Sequence, residues 1–181
     1  MDAHIEGCLL QLTSLTQDLP AFAEDLSPTQ FNWRVSPDRW SIGQCIEHLN
    51  ITTERYLPVL SQQIASAKSR GRTAPRPFTM GLLERGFFWT IEPPARMRVN
   101  APKAFHAPAD LQVDSTVARW RSLHDQLAEC IRSADGVDLG GVKVKSQFGP
   151  LSFTLGGTFS ILLAHERRHT WQRSEERRVG K

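Results

Sequence analysis

Near the end of this 181-residue chain stands His165-Glu166-Arg167-Arg168-His169. On a helix, histidines four apart lie one turn apart on the same face, so both imidazoles can reach one metal ion. The spacing alone is weak evidence, because six histidines in a chain of this length often produce such a pair by chance. Its position says more. Counting back from His169 by fours and threes passes through His165, Leu162, Thr158 and Leu155, so the pair continues an apolar stripe. Imidazoles turned toward a core need partners, since an unpaired buried polar group costs roughly 1–3 kcal/mol. A metal ion would satisfy both. The competing reading is one hydrogen-bonded core histidine and one histidine at an exposed helix end.

Read as His-Glu-x-x-His, the same residues match the zinc-peptidase helix, with Glu166 as general base. That chemistry needs a third ligand, and none follows: Glu175 stands at the extended-motif position, in a tail too short for a second ligand helix. A third ligand must come from upstream. His4 lies near a terminus, His106 sits in a proline-rich connection, and His124 borders Leu123 on a helix, where a boundary histidine is the common explanation. His48 differs, bordering an apolar stripe through Cys45 and Leu49. Glu47 and Glu166 each point about 100° from their neighbouring histidines on a helix, which favours surface roles.

The elements that would carry these residues have helical period. Residues 2 to 26 place Ile5, Cys8, Leu12, Leu15 and Leu19 on one stripe. An irregular stretch follows between Pro28 and Pro37, with Trp33 and Trp40 expected to pin it. Ser41 with Gln44 forms a capping box opening a second helix through Ile46, Leu49, Tyr56, Leu60 and Ile64, with a kink expected at Pro58. Lys68 to Pro77 reads as a loop. Phe78 to Ile91 reads as a short helix stopped by Pro93 and Pro94, its Phe87-Phe88-Trp89 cluster belonging to the core. A third long helix runs from about Ser115 to Ser133, and the last opens near Leu155 and runs toward Gln172. Val142, Val144 and Phe148 only hint at an extended piece. Four apolar stripes without a convincing sheet imply an all-α helical bundle.

Composition limits the remaining choices. Apolar residues make up 40% and charged residues 23%, which excludes bulk disorder. Cys8, Cys45 and Cys130 are an odd, widely spaced set, excluding a disulfide framework and a four-cysteine zinc site. The longest apolar runs fall far short of the roughly 20 residues that span a bilayer. The N-terminus lacks a basic secretory start, so the expected compartment is the cytoplasm. Most of the net charge of +3 sits after Gln172, at one end and not along a face, which argues against nucleic-acid binding.

Trp40-Ser41-Ile42-Gly43-Gln44-Cys45-Ile46-Glu47-His48-Leu49, together with His165-x-x-x-His169 and Trp171-Gln172, resembles the DinB/YfiT-like superfamily of four-helix-bundle metalloenzymes. The resemblance runs from the first helix to about Gln172. It implies a DinB-like bundle domain over residues 1–172; residues 173–181 match nothing expected of that family, and their charge-rich, aperiodic sequence reads as a tail lacking regular structure. It also implies a divalent metal, usually zinc or nickel, held by one histidine of the second helix and two of the last. Carried onto this chain, these are His48, His165 and His169, with Gln44 and Gln172 as pocket or supporting residues. Characterised relatives include transferases and isomerases that use low-molecular-weight thiols. The resemblance therefore implies a metal-dependent transferase or hydrolase acting on a small molecule, with a thiol as one candidate partner and room for a homodimer. The alternative is a non-catalytic stress-response binding module whose metal is structural.

Overall fold

The structure, a computed structural model, describes residues 1–23, 25–73, 77–94 and 101–179, without the side chains of 18–22 and 172–179. In chain order its elements are α1 (Ala3–Ala23), α2 (Pro28–Asn32), α3 (Ile42–Ser69), α4 (Leu82–Ile91), α5 (Val113–Ser133), β1 (Lys143–Lys145), β2 (Ser152–Thr154) and α6 (Leu155–Val179). The four long helices pack in a ring: α3 on α5, α5 on α1, α1 on α6 and α6 on α3. Helices α1 and α3, successive among the long ones, therefore sit diagonally, as do α5 and α6. Diagonal partners cannot be joined by tight turns, so the connections run long across the ends of the bundle.

Between the helices lies one principal core. Ile5 and Leu12 of α1, Leu60 and Ile64 of α3, Leu127 and Ile131 of α5, and Leu155 and Phe159 of α6 meet there. Each such side chain, fully buried, contributes roughly 1.5–3 kcal/mol. A second cluster joins Phe31 of α2 to Ile46 and Leu49 of α3 and to Val117 and Trp120 of α5. A third joins Ile91 of α4 to Phe153, Ile161 and Ala164.

The start of α3 forms as its sequence dictates. The Ser41 hydroxyl accepts from the Gln44 backbone N–H, and the Gln44 side chain accepts from the Ser41 N–H. A second capping box, Ser27 with Gln30, starts α2 inside the stretch expected to be irregular; Pro28 sits at the first turn, where its missing N–H costs nothing. Helix α3 continues through Pro58 as one element of 28 residues.

Two further features depart from the sequence reading. β1 and β2 pair antiparallel, Val144 opposite Phe153, with both side chains buried. Strands of three residues leave too short an alternation to recognise. The charged segment from Arg173 continues α6 to Val179, because no proline or glycine interrupts it before Gly180 and its Gln, Arg and Glu residues are good helix formers. Among the described residues, no helix is long and apolar enough to cross a membrane.

Gly43 fixes how α2 meets α3. A Cβ there would lie 2.5 Å from Cε1 of the fully buried Phe31 ring. Gly43→Ala should therefore destabilise the protein by about 1–3 kcal/mol, the cost of overpacking a filled site. Urea unfolding checks this, and a midpoint equal to wild type would show that the α2–α3 contact is loose.

Candidate metal centre

Three imidazoles from two adjacent helices converge. Nε2 of His48, on α3, lies 3.2 Å from Nε2 of His165, on α6. Nε2 of His169, one turn further along α6, lies 3.1 Å from the same atom. All three ligand atoms fall within 4.8 Å of one another, the one such group of histidine, cysteine or acidic side chains among the described residues. In a tetrahedral site with zinc–nitrogen bonds of 2.0–2.1 Å, ligand nitrogens stand about 3.3–3.4 Å apart. The two short separations come close to that edge length.

Proton accounting shows that these rings fit a cation better than one another. His48 Nδ1 lies 2.8 Å from the carbonyl oxygen of Phe105, which can only accept, so Nδ1 carries the hydrogen and Nε2 presents a bare lone pair. A single Nε2–H on His165 cannot serve both of its short contacts. Protonating the rings is no remedy. Burial holds the His48 pKa below its ordinary 6.5, although the Phe105 carbonyl and the Glu166 charge oppose that shift. Burial pushes His165 and His169 well below 6.5; for His165, proximity to the other two rings and to Arg168 adds to the effect. Neutral rings with converging lone pairs are a set of metal donors, and the Phe105 carbonyl orients one of them from behind.

Connections supply the walls. Trp40, just before α3, stacks on His169 at an interplanar angle of 14° and tilts over His48 with centroids 4.7 Å apart. Phe148, from the β1–β2 connection, lies 5.6 Å from His165 and stacks on Phe105 at 4.3 Å. Tyr56 steadies that connection, its hydroxyl accepting from the Gln147 N–H. The enclosure is thus aromatic on two sides. In the sequence Trp40 reads as a pin for its connection and as the start of the family-like motif, Phe148 only as part of a hinted extended piece, and nothing marks Phe105.

The other residues singled out in the sequence sit partly as read and partly not. Gln44 is buried and spends its side chain on the capping box, with a 3.4 Å contact from Nε2 to the Ala107 carbonyl. The Gln172 side chain lies outside the described residues. Glu47 and Glu166, expected at the surface, are buried. Glu47 pairs with Arg119 of α5 and accepts from Asn50, which itself donates to the Thr116 carbonyl. Glu166 faces His124 of α5, which is itself buried and not at a boundary. His4 bonds to the Gly156 carbonyl, while exposed His106 meets only the edge of Trp40 among the site's rings. Phe87 and Phe88 pack against the third cluster, but Trp89 and Trp33 are about half exposed. Helical period alone places a residue to within one face. It cannot say whether a neighbouring helix covers that face.

Comparison with known proteins sets this geometry in a family. No protein of curated description matches the chain. One solved structure matches over 97% of this chain and 87% of its own, with a TM-score of 0.64 and 14% identity. It is YfiT from Bacillus subtilis, described as a probable metal-dependent hydrolase with an unusual four-helix bundle topology. At that identity the likeness shows the fold. The model of the DinB superfamily matches residues 11–172, which span α1 through the ligand-bearing part of α6. The chain belongs to the DinB superfamily.

Proposed function

We propose that this protein is a metal-dependent enzyme that directs a nucleophile held at the His48, His165 and His169 site onto an electrophilic small molecule. The convergence of three neutral Nε2 atoms, with no fourth protein donor grouped with them among the described residues, carries this reading. Zinc or nickel suits such a donor set, since imidazole ligands fit both. Three protein ligands leave a position for an exogenous one, the arrangement of catalytic and not structural zinc. When bound, the metal would supply acidity, making water or a thiol available as its anion near neutral pH.

The chain's own residues do the rest. His48 is held in one tautomer by the Phe105 carbonyl, so its lone pair needs no reorganisation on binding. Trp40 and Phe148 screen the site from bulk water and offer apolar faces to a substrate. A hydrolase results if water is the nucleophile, and an S-transferase if a low-molecular-weight thiol takes its place. Glu166 is not grouped with the three nitrogens and faces His124, so the zinc-peptidase role for it gains no support. The YfiT description and the family membership agree with the metal-dependent reading.

Three outcomes follow. Replacing His165 by Ala should lower zinc or nickel affinity at least about 100-fold while leaving the helical circular-dichroism signal largely intact. Turnover of a chromogenic ester, or of an aryl halide with added thiol, should vanish with chelator and return with metal. Equal rates in wild type and His165→Ala would contradict metal-centred catalysis, and chelation that lowers stability with no turnover to lose would mark a structural metal. The third outcome concerns pH. All three folded-state pKa values lie below 6.5, so the unfolded chain takes up protons first as pH falls. The stability of the metal-free protein should therefore be fully present above about 6.5 and decline as pH drops below it. Urea midpoints measured between pH 5 and 8 check the sign.

A further inference from the structure

Helix α4 is apolar on both of its sides. The inner side is fixed. Among the long helices α4 packs on α6, and its Phe87, Phe88 and Ile91 join the third cluster. The buried Glu84 carboxylate accepts from the Thr154 N–H and hydroxyl, which holds the start of the helix. Glu92, just past its end, accepts two hydrogen bonds from Arg167. A helix pinned at both ends presents its outer side as a fixed surface. That side carries Leu82, Leu83 and Trp89, which are 84%, 91% and 57% exposed. At 100° per residue they fall within an arc of about 120° centred on Gly86. A helix lying on a monomer normally turns polar residues outward, and grouped apolar side chains mark an interaction surface where a lone one would not. Glycine inside a helix weakens it. A Cβ at Gly86 would meet nothing within 4 Å, so packing within the chain does not require glycine there.

We propose that two copies of this chain pair through this face, α4 antiparallel on α4 about a two-fold axis beside Gly86. Self-complementarity selects the occupant. Along the helix, Leu82 stands about 6 Å before Gly86 and Trp89 about 4.5 Å after it, both on the same edge of the face. A two-fold axis at Gly86 therefore sets Trp89 of one copy opposite Leu82 of the other, and does so twice. A face that matches itself in this way is what an isologous interface requires. The two glycines meet at the centre, where the missing side chains let the backbones approach closely. The area also suffices. Leu82, Leu83 and Trp89 expose roughly 450 Å² per copy, so pairing covers roughly 900 Å² from these three alone, close to the 1,000 Å² or so at which specific interfaces begin. Met80, Arg85 and Thr90 border the face and add to it. An interface of that size belongs to reversible assemblies.

Sedimentation equilibrium of the full chain reads the association directly. Wild type should dimerise reversibly. Leu82→Glu and Trp89→Glu should each raise the dissociation constant at least about tenfold, because each sets a carboxylate against an apolar partner surface. Both positions are exposed, so the helical circular-dichroism signal and the urea midpoint should stay near wild type. Cross-linking then reads the arrangement. Cys8, Cys45 and Cys130 are buried, which leaves an introduced surface thiol as the site of oxidation. With diamide as oxidant, a mixture of Leu82→Cys and Trp89→Cys chains should form a disulfide-linked dimer faster than either variant by itself. A wild type that stays monomeric at high micromolar concentration would overturn the proposal, as would a dimer that neither glutamate weakens. Linking of either variant alone as fast as the mixture would overturn the antiparallel pairing. Co-sedimentation of monomeric wild type with phosphatidylcholine vesicles, lost in Trp89→Glu, would assign the face to a lipid surface and overturn the pairing too. The measurements need no metal, so their failure leaves the three-histidine reading intact.

Discussion

Three imidazoles placed edge to edge beside an apolar core set the terms for the rest of this molecule. Rings shielded from water resist protonation, and rings presenting lone pairs to one another repel unless something positive lies between them. Holding them there costs stability that the surrounding bundle must offset. Its means are visible in the residues flanking the ligands in sequence. Glu47, beside His48, is tied to Arg119 of α5. Glu166 and Arg167, beside His165, reach His124 of α5 and Glu92 just past α4. The histidines face the centre while their neighbours fasten the two helices to different partners, so neither helix can turn independently.

The ring order of the helices gives the site its walls. Because successive long helices in the α1–α3 and α5–α6 pairs are diagonal, their connections must cross the bundle, and they bring aromatic side chains with them. Trp40 comes from the α1–α3 connection and Phe148 from the α5–α6 connection, while Phe105 comes from the long segment between the adjacent helices α3 and α5. Each contacts the His48 ring. The short hairpin matters for the same reason: pairing Val144 with Phe153 sets the connection that carries Phe148. A bundle with only tight turns would leave the metal donors open to water. Here the topology itself encloses them.

How far the sequence revealed this follows from the physics of each signal. The Ser41–Gln44 capping box and the stripes of α1, α3, α5 and α6 are local, and each survives folding with boundaries shifted by a few residues. The His165–His169 pair is equally local, since helix geometry fixes its spacing. His48 is not: it approaches the pair only because α3 packs on α6, and family resemblance was needed to select it from four upstream histidines. The burial of Glu166 and Glu47 was misread because period reports a direction on one helix, while burial depends on a second helix covering that direction. His124 shows the same limit, since its partner lies 42 positions away in sequence. The Ser27–Gln30 box, by contrast, was present as Ser27-Pro28-Thr29-Gln30 and announces α2 on its own.

The claim on which the account depends is that His48, His165 and His169 bind one divalent ion through their Nε2 atoms. Crystals of the metal-loaded protein, with anomalous data collected at the zinc or nickel edge, test it most directly. The expected result is a single strong peak about 2.0–2.2 Å from all three Nε2 atoms, with a non-protein ligand completing the coordination. A peak elsewhere, coordination by fewer than these three rings, or a fourth ligand supplied by the protein would contradict it.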